Sequence, residues 1–429
     1  MNNQPSHIKP RFYRWVIFAL LGIGYLLVFF HRLCPAVVAL DLMEDLKAGG
    51  SLIGLLASAY FYPYALMQIP SGLLSDSWGP RKTITIFFIL AGVASIGLGL
   101  AQTASWAIFA RVLVGIGVSM LFVPIIKILT CWFTKAEFSL MTGILIAIGG
   151  IGALIAASPL AYLSSWIGWR GSFIIIGIIT LISSGAIWIF VRNKPEELGY
   201  AAVKTEDVNK PPVNGIVLWQ GMKNVISSAH FWPLAIWFFC NFGIFFSFCG
   251  LWGGPYLMEV YHLSKSQAGN ILNMSAFAMI IGSPIFSLLS DKVFHSRKKV
   301  LIISSACLLL LLIPLAFFPA KFNIPLLYIW TFFFGLFGCA VVVVGFAASK
   351  ESFPVEIAGT AMGLVNLFPF LGGAIMQPII GYMLDASGKQ ASGYSAEAYG
   401  FAFQLFVATA MLALIASCFI KETLVHGDE

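Results

Sequence analysis

Apolar runs of about 20 residues recur along the whole chain, and only a helix, which satisfies its own backbone hydrogen bonds, can carry such a run through lipid. They fall near 15–40, 51–74, 83–103, 105–130, 138–163 and 171–192, then near 230–257, 267–290, 299–319, 324–348, 356–384 and 400–421. Twelve crossings predict an all-α membrane protein, and an even number puts both termini on one side. The longest polar stretch, residues 193–229, splits the crossings six and six. The expected organisation is therefore a first bundle over 1–192, a linker over 193–229 and a second bundle over 230–429. Residues 218–228 of the linker read as a short helix on the membrane surface.

Composition agrees. Of the 429 residues, 59% are hydrophobic and 10% charged, with a mean hydropathy of +0.91. A soluble domain carries roughly 25% charged residues. The net charge of +7 comes without a basic stripe interleaved with aromatics, so nucleic acid is not an expected partner. The seven Cys lie in or beside apolar runs, without CxxC pairs or nearby His, so neither a metal site nor a cofactor is expected. The first run is too long and too polar at its far end for a cleaved signal peptide.

Loop charge sets the orientation. With the N-terminus inside, 17 of the 25 Lys and Arg fall in inner segments and five in outer ones, while Arg32, Arg111 and Lys127 lie within crossings. Both termini are thus expected in the cytoplasm. The halves also repeat at an offset of 220: Gly115 meets Gly335, Phe133 meets Phe353, Gly143 meets Gly363, Gly152 meets Gly372 and Tyr162 meets Tyr382. Two similar six-helix bundles are what an alternating-access carrier requires.

The hinge Gly72-Leu-Leu-Ser-Asp-Ser-Trp-Gly-Pro-Arg-Lys82 joins crossings two and three, and a looser copy runs from Ser290-Asp291 to Arg297-Lys298-Lys299. Gly72 leaves room for a neighbouring helix, and Pro80 suits the first turn of a helix. This hinge, written G-x-L-S-D-x-x-G-x-R-K, and Arg111-Val-Leu-Val-Gly-Ile-Gly117 resemble motifs of the major facilitator superfamily, and the resemblance spans the chain. It implies that Gly72, Asp76, Arg81 and Lys82, with Asp291 and Arg297 as the second copy, form a cytoplasmic latch steadying the outward-facing state. The antiporter signature of that family has Pro directly after Gly in helix 5, whereas here Pro159 follows Ser158. That departure weighs against export.

Ionisable groups inside a membrane are functional candidates. Arg32 lies about 27 Å along the first helix from Arg14, at 1.5 Å per residue. It either lines the pathway or snorkels to the outer face, and the apolar runs flanking it favour the pathway. In the anion:cation symporters and organophosphate antiporters of the superfamily a helix-1 Arg binds the anionic group, and Arg32 resembles it. Where the symporters carry an acid just before that Arg, this chain has His31. His31 and Asp41 are the proton-coupling candidates, with packing as the alternative role for His31. Lys127 either meets substrate or snorkels inward, and Arg111 is expected to tie helix 4 to carbonyls of helix 1. Tyr60, Tyr64 and Gln68 share one helix face; Asn241 and Trp252 lead into Gly253-Gly-Pro255, a candidate helix break. With Asn273 and Asn366 these complete the candidate substrate-binding set. Gln377 is a further polar group in the penultimate helix.

The expected function is secondary active transport of a small anionic or zwitterionic metabolite, such as a carboxylate, amino acid or sugar acid, by a monomer in the inner membrane, with proton-coupled uptake. The alternative is an exporter of drugs or of a siderophore-like polycarboxylate. A doubly charged phosphate suits a single central base less well. No nucleophile–base set or phosphate loop suggests an enzyme, and a sensor would need a sizeable soluble domain.

Overall fold

The computed structural model describes residues 12–201, 222–390 and 393–424. Most of the expected linker, and the first part of its expected surface helix, lie outside them; residues 222–226 are helical. In the first half, α1 (Tyr13–Leu33) and α2 (Pro35–Asp45) are followed by α3 (Gly50–Ser58), α4 (Phe61–Leu66), α5 (Gln68–Ser77), α6 (Pro80–Gly99), α7 (Ala104–Ser119), α8 (Phe122–Trp132) and α9 (Lys135–Phe190). In the second half come α10 (Phe231–Ser247), α11 (Gly253–Val260), α12 (Lys265–Leu288), α13 (Arg297–Phe317), α14 (Ile324–Gly335), α15 (Val342–Glu351), α16 (Val355–Val365), α17 (Leu367–Ala386) and α18 (Ala396–Phe419).

Several breaks have visible causes. Pro35 opens α2 immediately after α1, and Gly79, at φ 86°, hands over to Pro80 at the start of α6. Thr134 with Glu137, and Ser264 with Gln267, form capping boxes that start α9 and α12. The expected break at Gly253–Pro255 falls elsewhere. The π-helical turn Phe248–Trp252 interrupts the crossing, and the α-helix resumes at Gly253. Pro255 then sits in the first turn of α11, where a missing N–H costs little.

Among the described residues, ten helical segments are long and apolar enough to cross a membrane, or eleven if Gly50–Leu66 and Pro70–Ser77, bent by 54°, form one crossing. One of the ten, within α9, is two limbs. Gly168, at φ 73°, adopts a backbone that L side chains avoid and breaks the 56-residue segment. The first limb runs parallel to α1: Glu137 pairs with Arg14 at 3.0 Å, and Gly152 packs on the Leu26 carbonyl. The second runs back, with His31 against Thr180 at 3.4 Å and Tyr13 donating to the Phe190 carbonyl.

The 220-residue offset has a packing counterpart. Gly115 faces the carbonyl of Tyr60, and Gly335 that of Ser275; Gly152 faces that of Leu26, and Gly372 that of Phe239. Without side chains these helices approach backbone to backbone, which is how helices associate in lipid.

Candidate functional site

The two halves meet around α1, α3, α4, α10 and α17. Arg32 lies at this meeting surface and is 5% exposed. Its guanidinium carbon sits 4.6 Å from the ring centre of Phe29 and 4.9 Å from that of Tyr64, both in the first half. From the second half, Phe370 approaches to 5.0 Å and Phe246 to 5.8 Å. The side chain therefore points between the halves, not outward. No carboxylate pairs with it among the described residues, and its Nε has no hydrogen-bond partner. A buried cation without a counter-ion is costly, and cation–π contacts recover only part of that cost. What would complete the site is an anion, which a guanidinium binds through parallel hydrogen bonds.

The aromatic walls also join the halves. Tyr64 and Phe370 lie 4.4 Å apart, and Phe61 and Phe246 5.1 Å apart. Beyond them, toward the end holding Tyr13 and Phe419, the contacts thin out. The polar contacts described at that end each stay within one half: Arg14 with Glu137, Lys127 with Asp76, Arg81 with the Trp188 carbonyl, and Arg297 with Glu351. The opposite end is closed. There Lys265 pairs with Asp41 at 2.5 Å, and Asp385 accepts from the amides of Gly50 and Ser51 at 2.8 Å each. Trp252 donates to the Gln377 carbonyl at 2.9 Å. Arg32 thus sits beneath a sealed end, behind a thin aromatic layer facing the open one.

The other sequence candidates spread out from this centre. Tyr60 stacks on Tyr64 at 5.6 Å and its hydroxyl reaches the Val28 carbonyl at 3.4 Å. His31 is turned away from Arg32 into the first half, against Thr180. Arg111 donates to the His31 carbonyl at 2.8 Å, the helix 4 to helix 1 tie expected of it. Lys127 is far from Arg32, donating to the Ser75 carbonyl at 3.0 Å and pairing with Asp76 at 2.5 Å. Asn241 donates to the Gly338 carbonyl at 2.7 Å, and Asn273 to Ser158 at 2.7 Å across the two halves. Asn366 is half-buried after α16.

The hinge residues stay within their own halves. Arg81 donates to the Trp188 carbonyl and lies 4.4 Å over that indole, while Lys82 approaches Trp78 at 5.7 Å. In the copy, Arg297 bridges Asp291 and Glu351, the latter at 3.1 Å.

Sequence reading passed over Phe246 and Phe370, whose role depends on pairing with a helix more than 200 positions away. It passed over Asp385 as well, although an acid closing a crossing opposite a helix that starts Gly49-Gly-Ser51 was a usable signal. Gln377 donates to the Phe246 carbonyl at 2.9 Å, beside the π turn, which ties the arginine's wall to α17.

Two helical halves that meet around a buried guanidinium without an acidic partner among the described residues, joined at one end and not the other, have the form of a membrane carrier. The sequence profile of the Major Facilitator Superfamily matches residues 21–264 and 250–426. The chain belongs to that superfamily and is a multi-pass membrane transporter, not an enzyme. It is 24% identical to the probable sulfoacetate transporter SauU of Cupriavidus necator, over 96% of this chain and 94% of that protein. It is 25% identical to a probable hexose phosphate transport protein of Chlamydia trachomatis, over 96% and 94%. With the probable galactarate/D-glucarate transporter GudP of Escherichia coli it shares 24% identity, over 83% and 84%. Among solved structures, a bacterial homologue of the human lysosomal transporter Spinster, inward-facing and unoccupied, superposes with a TM-score of 0.76 at 18% identity, covering 96% of this chain and 97% of that one.

Proposed function

We propose that this protein takes up a small metabolite bearing at least one carboxylate or sulfonate group, an organic acid, sugar acid or amino acid, by alternating access. The observation that carries the reading is Arg32, a buried guanidinium without an acidic partner, walled by aromatic rings from both halves. The anionic substrates named for the relatives support it. The Lys/Arg bias of the loops supports twelve crossings of the inner membrane with both ends in the cytoplasm, and on that orientation the structure is inward-facing. Asp76, 68% exposed at its side chain, and Gly72, facing open space, then belong to a latch that closes in the opposite state. For proton coupling we favour Asp41 over His31. Asp41 holds the halves together through Lys265, so protonating it breaks an inter-half bond, whereas His31 packs within one half.

The test is uptake of labelled sulfoacetate, glucarate, amino acids and a hexose phosphate into proteoliposomes carrying wild type, Arg32→Gln or Arg32→Lys. Truncating one partner of a buried charge pair costs about 2–5 kcal/mol, so Arg32→Gln should lose affinity by about 30-fold or more. Because the empty site holds an uncompensated charge, the same variant should unfold at a higher temperature than the substrate-free wild type. Uptake by Arg32→Gln within threefold of wild type, for every anion that wild type carries, would end the proposal.

A further inference from the structure

α3 starts without a cap of its own. Gly49, the residue before it, is extended (φ −75°, ψ 175°) and has no side-chain oxygen to accept the free amides of the first turn. The missing cap comes from the other half of the molecule, 335 residues along the chain. One oxygen of Asp385, at the end of α17, accepts from the Gly50 amide at 2.8 Å; the other accepts from the Ser51 amide at 2.8 Å and the Ser51 hydroxyl at 2.5 Å. Tyr394 donates its hydroxyl to the same carboxylate and accepts from the Gly50 amide at 3.0 Å. A side-chain carbon on Gly49 would lie 3.0 Å from the carboxylate, and one on Gly50 2.9 Å from the Gly381 carbonyl. The two glycines let α17 come this close.

We propose that Asp385 is the gating residue of the sealed end. It caps α3 in trans, so the cap exists only while the halves are closed there, and parting them exchanges it for water on both the amides and the carboxylate. A negative charge at a helix N-terminus is favourable, and here that interaction exists in one conformation and not in the other. A ligand or bond can bias a two-state equilibrium only by its differential stabilisation of the two states, and this cap is wholly differential. The inference is independent of what binds Arg32.

Hydrogen–deuterium exchange on the full-length protein in nanodiscs tests it, comparing wild type with Asp385→Asn, Asp385→Ala and Tyr394→Phe. In Asp385→Ala the peptide covering residues 50–56 should exchange at least tenfold faster, while residues 70–77 and 359–366 at the opposite end become slower as the equilibrium moves to the state closed there. Asp385→Asn should behave similarly, and Tyr394→Phe, which keeps the carboxylate, should show the same pattern at about threefold. A purely structural contact would loosen residues 50–56 without protecting the far end, and that outcome overturns the proposal. Unchanged exchange at residues 50–56 in the Asp385 variants overturns it too. If the Asp385 variants do not fold, Tyr394→Phe decides, by whether protection at the far end accompanies exposure at residues 50–56.

Discussion

Gly54 offers a way to push the closed end apart with one methyl group. A Cβ at this position would lie 2.6 Å from the Gln377 carbonyl oxygen and 2.6 Å from the Pro378 Cα, both backbone atoms of α17. Neither can rotate away, so relief requires α3 and α17 to separate by several tenths of an ångström or more. Overpacking of this kind costs about 1–3 kcal/mol, and a backbone neighbour favours the upper part of that range. The penalty falls only on the state in which α3 and α17 touch. Gly54→Ala should therefore shift the equilibrium about 5- to 150-fold toward the state open at this end, at 1.4 kcal/mol per tenfold. Gly72→Ala is the counterpart: its Cβ meets nothing here, so it costs this state nothing and penalises any state in which the hinge closes on a neighbouring helix. Spin labels at Lys47 and Lys321, exposed residues of opposite halves near the sealed end, report the separation by double electron–electron resonance after replacement of the exposed Cys418. The expected result is a longer-distance population in Gly54→Ala and none in Gly72→Ala. An unchanged distribution in a folded Gly54→Ala protein would refute the reasoning.

Two further outcomes follow from the ion pairs. The Thr134 amide, the Thr134 hydroxyl and Arg14 hold the Glu137 carboxyl below its usual range despite partial burial. A depressed carboxylate contributes stability above its unfolded pKa, near 4.3, and loses it as pH falls through the folded value. Glu137→Gln should therefore lower the unfolding temperature at pH 7, with the difference shrinking below about pH 4; a constant difference across that range would contradict the assignment. For Asp41 and Lys265, a double-mutant cycle on the ratio of the two conformations should give a coupling of about 1 kcal/mol or less, weakened by salt. Asp41→Asn should also abolish stimulation of uptake by an inward proton gradient; retained stimulation would remove Asp41 from the coupling role.

The architecture was legible because it is written in local terms. A run of apolar residues, a Pro at a helix start and a charge in a loop each act within a few turns, so the helices and the Gly79–Pro80 hand-over follow from short windows. The break at Gly168 was placed only to within a loop, since nothing local distinguishes that glycine's φ from its neighbours'. The site was harder to read for a physical reason. Arg32 declares itself as a costly cation, but whether it meets an acid depends on helices that return from the other half of the chain. The same holds for Lys127 and Asp41. Read as isolated charges they are candidates for substrate and proton contacts, and the partner that defines each one's setting lies at least fifty positions away, Asp76 for Lys127 and Lys265 for Asp41.

The two ends of the molecule use acids differently, and the difference bears on mechanism. At the open end, the second hinge copy is a closed network: Arg297 binds Asp291 and Glu351, and its amide donates to Glu422 at 2.9 Å. The first hinge is looser. Among the described residues Asp76 pairs with the part-exposed Lys127 alone, a pair of the kind that contributes about 0–1 kcal/mol, while Arg81 is engaged by Trp188. Breaking the Asp76–Lys127 pair is therefore cheap, whereas Asp385 at the closed end gives up the three donors of Gly50 and Ser51 at once when its end opens, keeping only Tyr394 of its own half. A carrier that must pass between two states without resting in either needs comparable losses on both sides. If Asp76 serves the latch proposed above, closing that end must give this carboxylate partners of a strength similar to those Asp385 now holds.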